Sequence, residues 1–182
     1  MTVIILIAVI VILAIWIVSL YNSLVKLRNN RENAFADIDV QLKQRHDLIP
    51  QLVETVKGYA SHEKETLERV INARNGAISA KTIDDKIMAE NALTSALAGL
   101  KITLEAYPDL KANSNFQELQ AQLEGTENRI AVARTAFNEK TQAYNVAVRR
   151  FPANLVAGIL SFGQKPYFEA DDSAAQAPEV AF

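Results

Sequence analysis

The clearest pattern in the chain is an unbroken apolar run at its N-terminus. Residues 2–20 read TVIILIAVIVILAIWIVSL and include no charged side chain. As a helix this run is about 28 Å long, which matches the hydrocarbon thickness of a bilayer. A signal peptide fits poorly, because the run is too long and no Lys or Arg precedes it. Residues 1–21 are therefore predicted to be a transmembrane helix, and the side chains that mark it are Val3, Ile4, Leu6, Ile10, Leu13, Trp16 and Tyr21.

Beyond the span, apolar positions recur at spacings of three and four, which is typical of amphipathic helices. No Gly or Pro occurs between residues 22 and 46, so the first helix is expected to run from residue 2 to about 46. Pro50 interrupts the pattern, and either Asp47 caps a new helix or the helix kinks there. The residues predicted to form this structural helix break are Arg45, Asp47, Pro50 and Gly58, the last of which is the expected helix stop.

Three further helices follow from the same periodicity. Ser61 is expected to cap the first of them, which weakens or ends at Asn75-Gly76. The next spans about 83–106 and is closed by Pro108. The last begins at Ser114, which makes a capping box with Gln117, and continues as a heptad-like seam to about residue 150.

Short connections between long helices favour antiparallel neighbours. The predicted fold is therefore all-α, with an N-terminal transmembrane helix continuous with an antiparallel up-and-down four-helix bundle. Its predicted parts are the transmembrane helix at 1–21, a helical bundle at 22–150, a short apolar segment at 151–168 and a disordered acidic tail at 169–182. Since no linker separates the span from the bundle, the two are expected to move together.

The short apolar segment follows two arginines at the end of the last helix. After four alternating helices, this end of the chain returns toward the bilayer, where a basic and apolar stretch can lie at the interface. Packing under the end of the bundle, or against another subunit, explains the same pattern equally well. The residues of the membrane-interface alternative are Arg149, Arg150, Phe151, Leu155, Ile159 and Phe162.

Charge limits the partners that the chain is expected to bind. The net charge is −2, so there is no bulk basic field to hold nucleic acid, and membrane lipids are the expected partner. Lys26, Arg28 and Arg31 directly follow the span, and the positive-inside rule then places the C-terminal domain in the cytoplasm. A periplasmic or extracellular domain is the alternative.

Catalytic and metal-binding patterns are not found in the sequence. The chain has no Cys, and its two histidines, His46 and His62, belong to no metal-ligand motif. No glycine-rich phosphate loop occurs either. No enzymatic activity, catalytic residue, metal or cofactor is therefore predicted.

Several charged residues lie close to the apolar stripes of the predicted helices. Arg31, Arg74 and Arg134 are expected mostly to extend their charged ends to the surface, although pairing inside the bundle is the alternative. Arg45 and Asp47 are the first pair to test, because they lie at the predicted helix break.

Residues 33–75 closely resemble the LemA family. The specific segments are DIDVQL at 37–42, RHDLIP at 45–50 and VKGYA at 56–60, with RFP at 150–152 and YFE at 167–169 further on. The resemblance covers nearly the whole chain except the tail. It implies a bacterial inner-membrane protein with a single span and a helical bundle, and it supplies no catalytic residues.

Two functions fit these features. The first is a membrane-anchored, non-enzymatic scaffold that forms homo-oligomers through its bundle and organises or shapes the membrane. The alternative is an adaptor that recruits a membrane protease or a signalling partner through the acidic tail or the loop at 107–113.

Overall fold

The computed structural model describes residues 1–60 and 62–168. These residues form helices and no strand, which confirms the all-α prediction. The helices are α1 (Thr2–Lys57), α2 (Lys64–Ser79), α3 (Ile83–Leu104), α4 (Pro108–Lys111), α5 (Ser114–Arg149) and α6 (Ala153–Ile159). Ser61 and the tail predicted at 169–182 lie outside the described residues.

Helix α1 continues through Pro50, so the alternative in which Asp47 caps a new helix is wrong, whereas a kink at Pro50 stays a prediction. Proline has no amide hydrogen, which leaves the carbonyl of His46, four residues earlier, without its helical donor. Arg74 of α2 supplies the missing hydrogen bond, because its Nε donates to the His46 carbonyl oxygen at 2.7 Å. The helix therefore crosses the proline and ends at Lys57, directly before Gly58.

Side chains that directly precede helices α3 and α5 cap their first turns. Thr82 caps α3, since its hydroxyl accepts from the backbone N–H of Asp85 at 3.0 Å. At α5 the capping acceptor is the side chain of Asn113, which takes the N–H of Phe116 at 3.0 Å. The capping box predicted for Ser114 is wrong, because the Gln117 side chain donates to the Lys111 carbonyl instead. Helix α2 also passes through Asn75-Gly76 and ends only at Ser79.

The chain divides into two units, and both α1 and α5 contribute residues to each of them. Unit 1 comprises Met1–Ala36 and Thr135–Tyr167, and unit 2 comprises Asp37–Arg134 together with Phe168. All four longer helices supply the core of unit 2. Its buried apolar side chains are Ile49, Leu52, Val53, Val56, Ala60, Leu67, Val70, Ala77, Leu93, Leu100, Leu104, Leu110 and Phe116.

Unit 1 has a smaller core beside the C-terminal end of the predicted span. It contains Leu24 of α1, Tyr144 and Val148 of α5, Ala157 of α6, and Phe162. The chain after α6 lies in no helix or strand, and side chains of α5 hold it through its backbone. The Tyr144 hydroxyl donates to the Gly163 carbonyl at 3.0 Å, and the Asn145 amide bonds both the N–H and the carbonyl of Lys165.

The apolar start of α1 is the single stretch in the described residues that is long and apolar enough to cross a membrane. Every side chain from residue 2 to residue 19 is exposed, including those predicted to mark the span, and Leu20 is the first that other parts of the chain partly cover. One long apolar N-terminal helix fits a single-pass membrane protein.

Candidate functional site

Opposite charges occupy core positions on two helices of unit 2. On α1, Arg45 falls in the buried series that includes Leu42 and Ile49, three or four residues away on either side. On α3, Glu90 likewise lies in a buried series, three residues after Ile87 and three before Leu93. A core position takes the side chain out of water, so each charge requires a partner.

These residues form one buried polar group, here called the Arg45 cluster, which consists of Arg45, His46, Glu90, Thr94 and Glu127. Arg45 is completely buried, and its Nη2 forms an ion pair with Glu90 Oε2. Its Nη1 donates to Glu127 Oε2 and to Thr94 Oγ1, each at 3.1 Å. His46 Nε2 donates to the second Glu90 oxygen at 2.7 Å. Helices α1, α3 and α5 are thereby joined through one guanidinium.

The electrostatics of the Arg45 cluster keep Glu90 ionised. Burial by itself would raise the pKa of the Glu90 carboxyl. The hydrogen bond from His46 and the charge of Arg45 outweigh burial and hold that pKa below its usual value. Nearby, burial is the main cause that lowers the pKa of Arg134, while the charge of Glu127 opposes it. The positive charges of Arg45 and Arg134 thus equal in number the negative charges of Glu90 and Glu127 in this part of unit 2.

Two donors in this region remain without an acceptor among the described residues. They are the Nε atoms of Arg45 and Arg134, and both are buried. The guanidinium of Arg134 instead lies over the ring of Phe168, with 4.2 Å from Cζ to the ring centroid. Each unpaired buried donor decreases the free energy of unfolding. Packing and charge interactions must offset this cost at both arginines.

The Arg45 cluster links helices α1, α3 and α5 at the positions where they pack together. Both Glu90 oxygens are engaged, one by Arg45 and the other by His46. Across residues 1–60 and 62–168, no group of three His, Cys, Asp or Glu side chains is placed to hold a metal ion. A shifted helix register would leave one of these buried charges without its partner, which would destabilise that packing.

Arg45 and Asp47, the first pair to test, bind different partners, and Arg45 pairs with Glu90. Asp47 lies on the surface and pairs with Lys43, one turn earlier on α1, at 3.4 Å. The expectation of surface-directed arginines is wrong for Arg31. That residue is buried, donates from Nε to Thr141 Oγ1 at 3.2 Å, and lies 4.8 Å from the ring centroid of Phe137.

A second feature of unit 2 is a groove between α3 and α5 with a volume of about 280 Å³. Its floor is apolar and its rim carries charged and polar side chains. Thr94 and Glu127 line one part of it and belong also to the Arg45 cluster. The apolar lining consists of Leu52, Leu97, Ala98, Leu100, Leu104, Phe116 and Leu123.

The residues of the predicted membrane interface divide into two groups. Phe151, Leu155 and Ile159 are exposed, as are Arg149 and Arg150. Phe162 is buried, so its assignment to the interface is wrong. Its ring packs edge-to-face against Tyr21 with 5.9 Å between centroids, and Arg28 lies over its face. Part of the segment therefore packs against the protein, as the second interpretation expected.

The sequence interpretation missed Glu90, Thr94 and Glu127 as partners of Arg45. A usable signal was present for Glu90, because a charged residue on the apolar stripe of α3 has to find an opposite charge at a stripe position of another helix. Periodicity alone gave no such signal for Glu127, which is only half-buried on α5.

Comparisons with known proteins identify a family and several relatives. A model of the LemA family matches residues 34–182. The magnetosome protein MamQ of Magnetospirillum gryphiswaldense is 23% identical over an alignment 189 positions long, which includes 88% of this chain and 70% of that protein. Protein LemA of Metamycoplasma hominis is 24% identical over 153 residues, or 83% of this chain and 69% of that protein. Magnetosome protein MamQ 2 of Paramagnetospirillum magneticum is 21% identical over 175 residues. The alignment includes 82% of this chain and 64% of that protein.

Proposed function

Because the chain belongs to the LemA family, we propose that it is a membrane-anchored, non-enzymatic scaffold that self-associates through its helical units and organises the membrane around it. The observation that carries this proposal is the continuity of α1, which supplies both the apolar span and core residues of both units. Copies anchored in one membrane share a plane and an orientation, and this raises their effective concentration.

The fold and orientation of this scaffold are part of the proposal. The long helices of unit 2 pack as an antiparallel up-and-down four-helix bundle, which the short connections at 58–63 and 80–82 support. The domain after the span lies on the cytoplasmic side, as Lys26, Arg28 and Arg31 favour. Since the chain has no Cys, single cysteines introduced on α2 and α3 can test both points by accessibility and by distance measurement.

Mass photometry of the full-length protein in nanodiscs, over a range of protein concentrations, tests self-association. The proposal predicts multimers. A matched control has residues 2–19 shuffled, which keeps the composition and length of the span but changes its surface. Multimers should persist in this control, because the helical units make the contact. Monomers at every concentration, or multimers lost on shuffling, would overturn the proposal.

A second function, that of an adaptor, is favoured by the groove between α3 and α5. An apolar floor with a charged rim is suited to an apolar segment of a partner protein. A photo-crosslinking residue at Leu123 in the groove should then capture a protease or signalling protein in native membranes. The matched control is the exposed Ile102, outside the groove. Equal capture from both positions, or none from Leu123, would exclude the groove as an adaptor site.

A further inference from the structure

Helix α6 has two chemically distinct faces. Val156 and Ala157 are buried in unit 1. Leu155 and Ile159, four residues apart and hence on one side of the helix, are 59% and 82% exposed. Phe151, just before α6, is 74% exposed. Three large apolar side chains therefore face away from the protein within nine residues of each other, which is unusual for a surface in water.

The orientation of α6 is fixed at its C-terminal end. Ser161 has a left-handed backbone with φ of 58°, and the Phe162 N–H donates to the Ala157 carbonyl at 2.9 Å. This pattern is a Schellman cap, which is completed by the apolar contact of Phe162 with the core that contains Ala157. The bonds from Tyr144 and Asn145 then hold the backbone that follows. The exposed apolar face cannot turn inward while these contacts last.

Helix α6 lies at the level where α1 leaves its apolar stretch. All side chains up to residue 19 are exposed, whereas Leu24 is buried in the same core as Ala157 and Phe162. Phe162 contacts both Tyr21 and Arg28, which are separated by about 10 Å along α1. If residues 2–20 fill the hydrocarbon layer, this level coincides with the headgroup region, which extends several ångströms beyond it.

The charges beside α6 have the sign that a bilayer surface attracts. Arg149 and Arg150 are exposed and immediately precede Phe151. An amphipathic segment with apolar side chains on one face and adjacent basic residues binds in the interfacial plane of membranes that contain anionic lipid.

From these observations we propose that α6 lies on the bilayer beside the exit of α1. Phe151, Leu155 and Ile159 insert among the acyl chains next to the headgroups, and Arg149 and Arg150 contact anionic phosphate groups. The protein then contacts its membrane at two sites, the span and α6. This inference rests on the membrane anchoring by α1 within the proposed function.

Site-directed spin labels on the full-length protein in liposomes of phosphatidylcholine and phosphatidylglycerol test the inference. The natural absence of Cys allows single labels at Leu155 and Ile159 on the proposed lipid face and at Asn154 beside it. Ile10 in the span serves as the lipid control and Glu118 on α5 as the water control. Collision with oxygen, which partitions into lipid, is compared with collision with a nickel chelate, which stays in water.

The expected result is high oxygen and low nickel accessibility at Leu155 and Ile159, with more nickel at Asn154. If Leu155 and Ile159 resemble Glu118 while Ile10 reports lipid, the inference is wrong and the anchoring stands. If Ile10 itself reports water, the proposed function fails as well. Low accessibility to both reagents at Leu155 would mean that protein, such as a second copy, covers this face, and this also overturns the inference.

The double variant Arg149→Gln/Arg150→Gln tests the electrostatic part. Each basic residue near an anionic surface favours the bound state by about fivefold. The variant should therefore show increased nickel accessibility at Leu155 in the same liposomes. No increase would rule out the contact of these two arginines with lipid phosphates.

Discussion

Removing the charge of Glu90 should destabilise unit 2 more than any surface substitution on the same helices. Glu90→Gln keeps the shape of the side chain but leaves the buried guanidinium of Arg45 without its closest anion. His46 loses a charged acceptor at the same time. The free energy of unfolding therefore decreases because a cation stays in the core without full compensation.

The magnitude follows from what remains around Arg45. Removing one member of a buried ion pair costs about 3–5 kcal/mol. Here Glu127 still lies 3.1 Å from Nη1, but its side chain is 44% exposed and compensates only in part. We therefore expect about 3 kcal/mol, at the low end of that range. For a protein of this size, this corresponds to a decrease in Tm of about 6–12 °C.

Thermal unfolding of the full-length protein in detergent, followed by far-UV circular dichroism, measures this effect. The matched control is Asp47→Asn, which removes the exposed pair with Lys43 and should cost no more than about 0.5 kcal/mol. A double variant, Arg45→Met/Glu90→Met, removes both charges and fills the space with apolar atoms. It should be more stable than Arg45→Met alone, since the buried Glu90 charge is removed too and only the partly exposed Glu127 loses its partner.

Two results would refute this reasoning. One is a Tm for Glu90→Gln within the range of the Asp47→Asn control. The other is strict additivity of Arg45→Met and Glu90→Met, because residues that interact directly give non-additive changes in free energy. Either result would mean that the charges of the Arg45 cluster contribute nothing to the free energy of unfolding.

Three further predictions use the same unfolding assay. First, the pKa of Glu90 is lower in the folded than in the unfolded protein, so its contribution is complete above the ordinary value of 4.5 and is lost as pH falls through the folded pKa. The difference in Tm between the wild type and Glu90→Gln should therefore narrow in acid; a constant difference would contradict this. Second, Arg74→Met should cost about 1–3 kcal/mol, because the His46 carbonyl loses its donor. The cost should be smaller in a Pro50→Ala background, where the new amide of residue 50 can bond that carbonyl. An equal cost in both backgrounds would contradict the idea that Arg74 replaces the hydrogen bond that Pro50 cannot make. Third, Ser161→Val should lower the Tm and Ser161→Gly should not, since a β-branched residue tolerates a φ of 58° poorly; the opposite order would contradict the cap at the end of α6.

The sequence predicted the helices well because helical periodicity is a local property. The single apolar span, the start of α3 at Ile83 and the length of α5 all follow from it. The error at Pro50 arose because proline was judged by its own helix alone. The donor that replaces the missing amide comes from Arg74, on another helix, and no local pattern contains that information.

The partners of Arg45 show the same limit. The spacing on α1 identifies a charge at a core position, but it does not identify which distant residue neutralises that charge. Asp47 is the candidate partner because it lies with Arg45 at the predicted helix break, although a residue two positions away on a helix faces a different direction. Likewise, the apolar segment that contains Phe162 predicts a position at the membrane interface. In the structure Phe162 follows the left-handed turn at Ser161, and its ring packs against Tyr21.

Subunit counting in native membranes tests the proposed scaffold most directly. A single dye at Lys43→Cys, which is exposed on α1, allows bleaching steps to be counted for individual complexes at low expression. The account predicts that most spots bleach in several steps, and that this number persists when residues 2–19 are shuffled. Spots that bleach in one step throughout would show that the anchored protein acts as a monomer and would contradict the scaffold.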